Sequence, residues 1–352
     1  MIYTHIPFCE HKCPYCSFNS FVGFADSHEA YISALIRQFH HDRELLGGVV
    51  SESFYIGGGT PSCVSAAAYE PLFEAIKPHL AIGAEITIEA NPNSLTDGWA
   101  LALRKLGANR ISIGVQSFDD DKLKLLGRLH NGKEAKAAIE AAKRAGFEQI
   151  GADLIYGVEG DHLELLKGDL AQAIALGATH ISAYHLTIEE NTPFAKRAYQ
   201  AMDDRKTEQQ FSLAIEAAGF PRYEVSSYGS HPSKHNLGYW ALKPYLGLGA
   251  GAVGTVAHES GYLRYEPYKS VEAYIADPFA REIELIDSKT HDMEEVILGA
   301  RCKIGFSHSA LGKRALERAK ILLVQGALRS EGDRFYNTDF WLSDEIWLFL
   351  NG

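Results

Sequence analysis

Three of the five cysteines crowd into one short run, C-E-H-K-C-P-Y-C, which places Cys9, Cys13 and Cys16 within a single loop. Thiolates are the usual protein ligands of iron–sulfur clusters, and a compact loop with three of them can hold three corners of a cubane. The fourth iron would then lack a protein ligand. Like the open position of a catalytic metal site, it could accept a small chelating molecule. Zinc is the competing use of such a loop. A structural zinc wants four ligands, and His5 or His11 could complete the set. Cys63 and Cys302 stand alone and read as small buried hydrophobes. An odd number of cysteines, three of them crowded, does not make a disulfide scaffold. It points to a metal site in a reducing, cytosolic compartment.

Further polar residues fall where a bound ligand would need them. Y-I-G-G-G-T-P, residues 55–61, is a glycine run that lets backbone approach a ligand and offers its amides. Glu89 lies in T-I-E-A-N-P, Gln116 in G-V-Q-S, Arg128 in L-G-R-L-H and Asp153 in A-D-L-I-Y-G. A carboxylate at Glu89 could meet an ammonium or ribose hydroxyls. The guanidinium of Arg128 could fork onto a carboxylate. Each residue alone reads more simply as a satisfied polar group. Their weight comes from their order along the chain.

The elements that must position them alternate. Strand-like runs at 2–6, 53–56, 85–89, 110–115, 150–155 and 180–186 are separated by amphipathic segments at 27–46, 66–79, 97–106, 133–145 and 162–176. In 133–145 alanines and an isoleucine recur at helical spacing, with charged residues on the other face. Gly107, Gly146, Gly177 and Gly219 each follow a helical run, where a left-handed C-terminal residue belongs. Strand and helix repeated about six times predict a parallel sheet with crossover helices. Such sheets place their ligands at the C-terminal strand ends, where the polar residues above fall.

After about residue 190 the rhythm changes. The pattern predicts a helix at 203–218, a strand at 222–226 and an aromatic, glycine-rich stretch at 235–254. From 282 to 352 it predicts two or three short helices and a hairpin-like tail at 335–342. The domain reading is a first unit at 1–254, a connecting segment at 255–281 and a small C-terminal domain at 282–352. No fixed-period repeat or low-complexity tract occurs.

Of the 352 residues, 46% are hydrophobic and 22% are charged. That is a globular composition. The net charge of −11 argues against nucleic acid or an anionic membrane as main partner. No apolar run is long enough to span a bilayer, and the N-terminus lacks the pattern of a secretory signal.

The spacing C-x3-C-x2-C, with Tyr15 before the last cysteine, resembles the signature of the radical S-adenosylmethionine superfamily. That resemblance implies a partial (β/α)6 barrel of the TIM type. It also implies a 4Fe-4S cluster on Cys9, Cys13 and Cys16, with the open iron chelated by S-adenosylmethionine. One electron from such a cluster cleaves a carbon–sulfur bond and gives a 5′-deoxyadenosyl radical. Within the superfamily the ordered motifs resemble the oxygen-independent coproporphyrinogen oxidase branch. The match implies S-adenosylmethionine contacts from Tyr3, Gly58, Gly59, Thr60, Glu89, Gln116, Arg128 and Asp153. It is dense to about residue 254 and looser through the C-terminal domain.

Two departures put coproporphyrinogen oxidation in doubt. The oxidase has a further cysteine two positions after the third ligand, where this chain has Phe18. The oxidase also carries a long N-terminal extension, whereas this chain begins almost at its first strand. Both departures fit the sister family, the HemW heme chaperones. H-N-L-G-Y-W, residues 235–240, looks like the H-N-x-x-Y motif which that family associates with heme. A histidine with flanking aromatics suits heme, since imidazole is a common axial ligand and rings can cover the macrocycle. The alternative is that His235 only supports a loop, with His231, Tyr239 or a cysteine as the ligand. The resemblance implies heme as cargo, client hemoproteins as partners, a monomer or dimer, and a small, mainly helical C-terminal domain. It leaves open a coproporphyrinogen III dehydrogenase or another radical enzyme on a tetrapyrrole. It also leaves open whether the cluster serves regulation, dimerisation or a radical step.

Overall fold

The computed structural model describes residues 1–197, 199, 201–259 and 261–352. Its main sheet is built from β1 (Ile2–Ile6), β2 (Ser51–Gly58), β3 (Leu80–Ala90), β4 (Arg110–Gln116), β5 (Gln149–Tyr156), β6 (His180–His185), β7 (Ser227–Tyr228) and β8 (Leu246–Leu248). The spatial order is β7-β6-β5-β4-β3-β2-β1-β8. Neighbours from β6 to β8 are parallel, and the short β7 runs antiparallel to β6. The sheet curls into a partial barrel whose edges, β7 and β8, are not joined to each other.

One face of each strand is apolar and buried. Ile111, Ile113 and Val115 of β4 are fully enclosed, as are Ile6 of β1 and Ile56 of β2. The alternate residues of β4, Ser112, Gly114 and Gln116, turn to the other face and line a cavity. The covering helices are α1 (His28–Asp42), α2 (Glu70–Ile76), α3 (Asp97–Leu106), α4 (Asp120–Leu125), α5 (Gly132–Arg144), α6 (Leu163–Leu176), α7 (Pro193–Lys196) and α8 (Arg205–Ala217). Asn131 and Glu134 form a reciprocal capping box at the start of α5, so two orphan amides are satisfied at once. Gly107 and Gly177 end α3 and α6 at φ 113° and 105°, a conformation that L side chains avoid.

Helix α9 (Lys234–Trp240) packs against β2. Gly238 lies so close to Met1 that a Cβ would collide with its sulfur. The described residues of 255–281, expected to be a connector, are folded. They contribute to a three-stranded antiparallel sheet of β9 (Gly254–His258), β10 (Gly261–Pro267) and β11 (Arg281–Ile286), with α10 (Val271–Ala276) between the last two. Short strands with mixed polarity and one buried face escaped the periodicity reading.

The C-terminal unit has its own core of Val296, Phe306, Leu322, Phe335 and Ile346. Helices α11 (Ser288–Ala300), α12 (Lys313–Val324) and α13 (Ser343–Asn351) pack with a small sheet of β12 (Phe306–Ser307), β13 (Leu328–Glu331) and β14 (Arg334–Asn337). The hairpin expected at 335–342 therefore lies earlier in the chain. Its turn is set by Gly332, at φ 59°, the positive value that tight hairpin turns demand. The aromatic run that suggested the hairpin leads into α13 instead. The expected strand at 222–226 is reduced to isolated bridges, Arg222 to Tyr228 and Glu224 to Cys302. Among the described residues no helix is long and apolar enough to cross a membrane.

Candidate functional site

Parallel connection puts the C-terminal ends of β1 to β6 on one side of the sheet. A cavity of about 410 Å³ opens there. Its wall holds Cys9, Cys13 and Cys16 from the loop after β1, and Gly58, Gly59 and Thr60 at the end of β2. Glu89 of β3, Gln116 of β4, Arg128 after α4 and Asp153 of β5 complete it.

The cysteine loop is held at its base by backbone. Cys9 N–H donates to Phe21 O at 2.9 Å and Phe21 N–H to Pro7 O at 2.7 Å. Lys12 Nζ donates to Phe18 O and Ser20 O, at 3.0 and 3.2 Å. The glycine run lies directly against this loop. Gly59 N–H donates to Ile6 O at 2.8 Å and Thr60 N–H to Phe8 O at 2.7 Å. A Cβ on Gly59 would stand 2.7 Å from Phe8 O and 3.0 Å from Cys9 Sγ. The run lines the cavity, and the N–H groups of Gly58, Gly59 and Thr60 are bonded within the protein, the Gly58 N–H to Glu89 Oε2 at 3.0 Å. The glycines are required for close packing of β2 on the cluster loop.

The three thiols are unpaired with one another and half-buried in one wall. Burial pushes the Cys9 and Cys16 thiols up from their ordinary range. Coordinated iron would reverse that preference, because a metal deprotonates the thiol that binds it. Arg128 adds positive charge beside them, with Nη1 3.5 Å from Cys13 Sγ. A donor set of three soft thiolates around a roomy cavity fits an iron–sulfur cluster. His5 does not supply a fourth ligand for zinc. Its Nε2–H donates to Asn19 O at 2.8 Å, which leaves Nδ1 to accept from Tyr3 OH at 2.9 Å. His11, in contrast, lies in the cavity wall.

Two carboxyl groups face the cavity from different strands. Glu89 accepts from Tyr55 OH at 2.7 Å as well as from Gly58. Burial pushes its carboxyl up to about 7, with Asp153 adding to the rise while the hydrogen bonds from Tyr55 and Gly58 oppose it. Desolvation disfavours the charged form, and here it outweighs the donors. Asp153 accepts from Ser112 Oγ at 3.1 Å, and burial raises its carboxyl too. Arg128 Nη2 donates to Asn91 Oδ1 at 2.7 Å and Gly114 O at 3.1 Å, while its buried Nε has no partner among the described residues. Gln116 takes φ 63°, at the point where the pairing of β4 with β5 shifts register. That conformation is rare for a side chain of its kind and stores strain. A carboxylate pair, a guanidinium and a strained amide thus surround one space. They can hold a zwitterionic ligand beside the thiols.

Sequence reasoning missed Asn91, which donates to Thr60 Oγ1 at 2.9 Å and accepts from Arg128. Its position two residues past Glu89, before a proline, was the available signal. Tyr3 does not reach the cavity wall. Its ring packs near Tyr55 and His235, centroids 6.1 and 6.4 Å away.

His235 lies at the other end of the strands. Its Nδ1 is 2.8 Å from Ser53 Oγ, its Nε2 is 2.9 Å from Tyr239 OH, and it has no solvent exposure. Burial pushes its ring down to about 3, so it is neutral. Both nitrogens lie within hydrogen-bond distance of hydroxyls, so Ser53 and Tyr239 hold the ring in place in this structure. His231 is exposed, and its carbonyl accepts from Arg110 Nη1 at 3.1 Å. Cys302 is buried and bonded to Tyr223 O, as the hydrophobe reading expected.

Comparison with known proteins agrees with this geometry. The sequence profile of the Radical SAM superfamily matches residues 3–171. The chain is 41% identical over 269 residues to the heme chaperone HemW of Escherichia coli, covering 74% of this chain and 71% of the relative. It is 32% identical to the heme chaperone HemW of Bacillus subtilis, covering 89% and 86%. The heme chaperone HemW of Mycobacterium tuberculosis is 32% identical over 96% and 90%. Among solved structures, the coproporphyrinogen III oxidase HemN of Escherichia coli superimposes with a TM-score of 0.81. It is 19% identical and spans 99% of this chain and 89% of that one, which is a likeness of fold.

Proposed function

The chain belongs to the HemW family of radical SAM proteins, and from that premise we propose that it binds heme and delivers it to client hemoproteins. The observation that carries the reading is the relationship to heme chaperones across 74% to 96% of the chain. The side chain at 18 supports it. Phe18 is 64% exposed at the rim of the cluster cavity, where the oxidase branch has a further cysteine.

In this reading Cys9, Cys13 and Cys16 hold a 4Fe-4S cluster, and the cavity beside them holds S-adenosylmethionine. When bound, the cluster supplies an open iron and an electron. The chain's own residues do the rest. Glu89 takes the ammonium in its charged form, with Tyr55 and Gly58 fixing the rotamer. Arg128, steered by Asn91, faces the carboxylate and screens the thiolate of Cys13. Asp153, oriented by Ser112, takes ribose hydroxyls. Gly59 and Thr60, bonded to Ile6 O and Phe8 O, hold the end of β2 against the cysteine loop that would carry the cluster.

The test is an anaerobic hemin titration of the reconstituted protein, followed by mixing of the loaded protein with an apo-hemoprotein. The reading expects saturable binding and then transfer. Absence of saturable binding overturns it. Conversion of coproporphyrinogen III to protoporphyrinogen IX under the same conditions would replace it with the dehydrogenase reading.

A further inference from the structure

β11 is the free edge of the small antiparallel sheet. The spatial order is β11-β10-β9, and β9 is the strand that meets the barrel, through the bridge of Thr255 to Tyr245. An edge strand presents a row of unpaired N–H and C=O groups, which is a template for another strand.

The direction of those groups follows from β10. Pro267 stands opposite Arg281 and has no N–H to give. Its carbonyl accepts from Gly251 N–H at 3.2 Å, on the side of β9 and away from β11. Backbone groups alternate in direction along an antiparallel pair. Glu282 and Glu284 therefore bond to β10, while Arg281, Ile283 and Leu285 turn N–H and C=O outward. Among the described residues these outward groups have no partner.

The side chains are open in the same place. Ile283 and Leu285 are apolar, yet each is 61% exposed. Ile283 stands opposite the buried Tyr265, so an added strand would extend an apolar face that already exists. The other face of β11 is acidic. Glu282 and Glu284 are exposed. Glu284 shares Arg264 with Glu294, and Glu282 has no ionic partner among the described residues.

Charge decides what could lie there. Residues directly opposite on neighbouring strands attract when their charges differ and repel when they are alike. A second copy is disfavoured on this ground. Two-fold pairing of β11 with itself, centred on Ile283, sets Glu282 of each copy against Glu284 of the other. A strand with basic residues at those positions meets attraction instead. We propose that β11 docks an extended segment of another protein, one in which apolar residues alternate with lysine or arginine. Main-chain bonds to Ile283 and Leu285 give the affinity, and the alternate side chains give the specificity. None of these residues lines the cluster cavity, so the docking strand stands whether or not the chain carries heme.

The experiment is fluorescence anisotropy of labelled peptides on the full-length protein. One peptide alternates lysine with valine and matches the six residues of β11. A second alternates glutamate with valine, and a third is the lysine peptide with its backbone N-methylated. Wild type should bind the lysine peptide about tenfold more tightly than the glutamate peptide, the scale of two cross-strand pairs turned from repulsion to attraction. The double variant Glu282→Lys with Glu284→Lys should reverse that order. Ile283→Pro removes an outward N–H at a position where an edge strand tolerates proline, and it should abolish binding. N-methylation should abolish it too, with the protein untouched, so the outcome does not depend on the folding of a variant. No saturable binding of the lysine peptide to wild type overturns the docking strand. Binding that survives both N-methylation and Ile283→Pro also overturns it, because charge alone would then hold the peptide. A wild-type dimer in sedimentation that Ile283→Pro dissociates would replace the basic segment with a second copy.

Discussion

Glu89 is enclosed by protein yet turned toward a cavity, and burial places its titration near neutrality, at about 7. The sign follows from that rise. The folded state prefers the protonated carboxyl, so this group favours folding at acid pH and costs stability as pH climbs from the unfolded value through about 7. A cationic ligand favours the charged form. S-adenosylmethionine affinity should therefore fall in wild type as pH drops below about 7. In Glu89→Gln it should be weak and flat with pH. Equilibrium dialysis at acid and alkaline pH checks this, and a flat wild-type profile would remove Glu89 from the ammonium site. The thiols give a sharper expectation. Cys9→Ala, Cys13→Ala and Cys16→Ala should each lose the cluster, because three ligands leave no spare. Full iron and sulfide in any of them would refute the assignment. At this scale the residue types were legible, since thiolates, a guanidinium and carboxylates announce their chemistry. The occupied nitrogens of His235 were not, because Ser53 lies far from it in sequence and only folding brings the two together.

Element by element, β2 carries the tightest constraint. Gly59 has no room for a methyl group between Phe8 O and Cys9 Sγ. Gly59→Ala should cost about 1–3 kcal/mol, as overpacking does, and should also lower cluster content by displacing the loop. Gly168, in the middle of α6, has open space for 4 Å around the position a methyl group would take, so it serves as the control. Gly168→Ala should gain up to about 1 kcal/mol from helix propensity. Urea midpoints and iron analysis separate the two cases. The barrel's strands and helices were legible because buried parallel strands and amphipathic helices have distinct periods. β8 and the β9–β11 sheet were not. β8 is three residues long, and β9 to β11 pair antiparallel with several exposed apolar residues, such as Ile283 and Leu285, that blur the alternation.

Over the whole molecule, an ion pair ties the β9–β11 sheet to the barrel. Arg281 of β11 donates to Asp42 at the end of α1 through both terminal nitrogens, at 2.9 and 2.7 Å, and the Asp42 side chain is fully buried. Arg281→Met should cost about 3–5 kcal/mol, because it removes the guanidinium from a buried carboxylate that then keeps only Gln38 and His41 as partners. The double variant with Asp42→Leu should recover part of that loss. Thermal melts of the two variants check it, and a single variant as stable as wild type would show that the sheet is held some other way. The C-terminal unit is joined by backbone, Val225 N–H to Arg301 O at 3.0 Å, with Glu224 paired to Cys302. That junction brings α11 toward α9. Sequence alone determined the cluster loop, the alternating βα pattern and the strand ends that carry the polar residues. These are local facts, written in spacing and period. Only the tertiary structure decided which side chains share a cavity, that the glycine amides are bonded within the protein, and that Ser53 and Tyr239 hold the ring of His235. Hydrogen-bond partners far apart in the chain depend on how layers pack, and no local pattern records that.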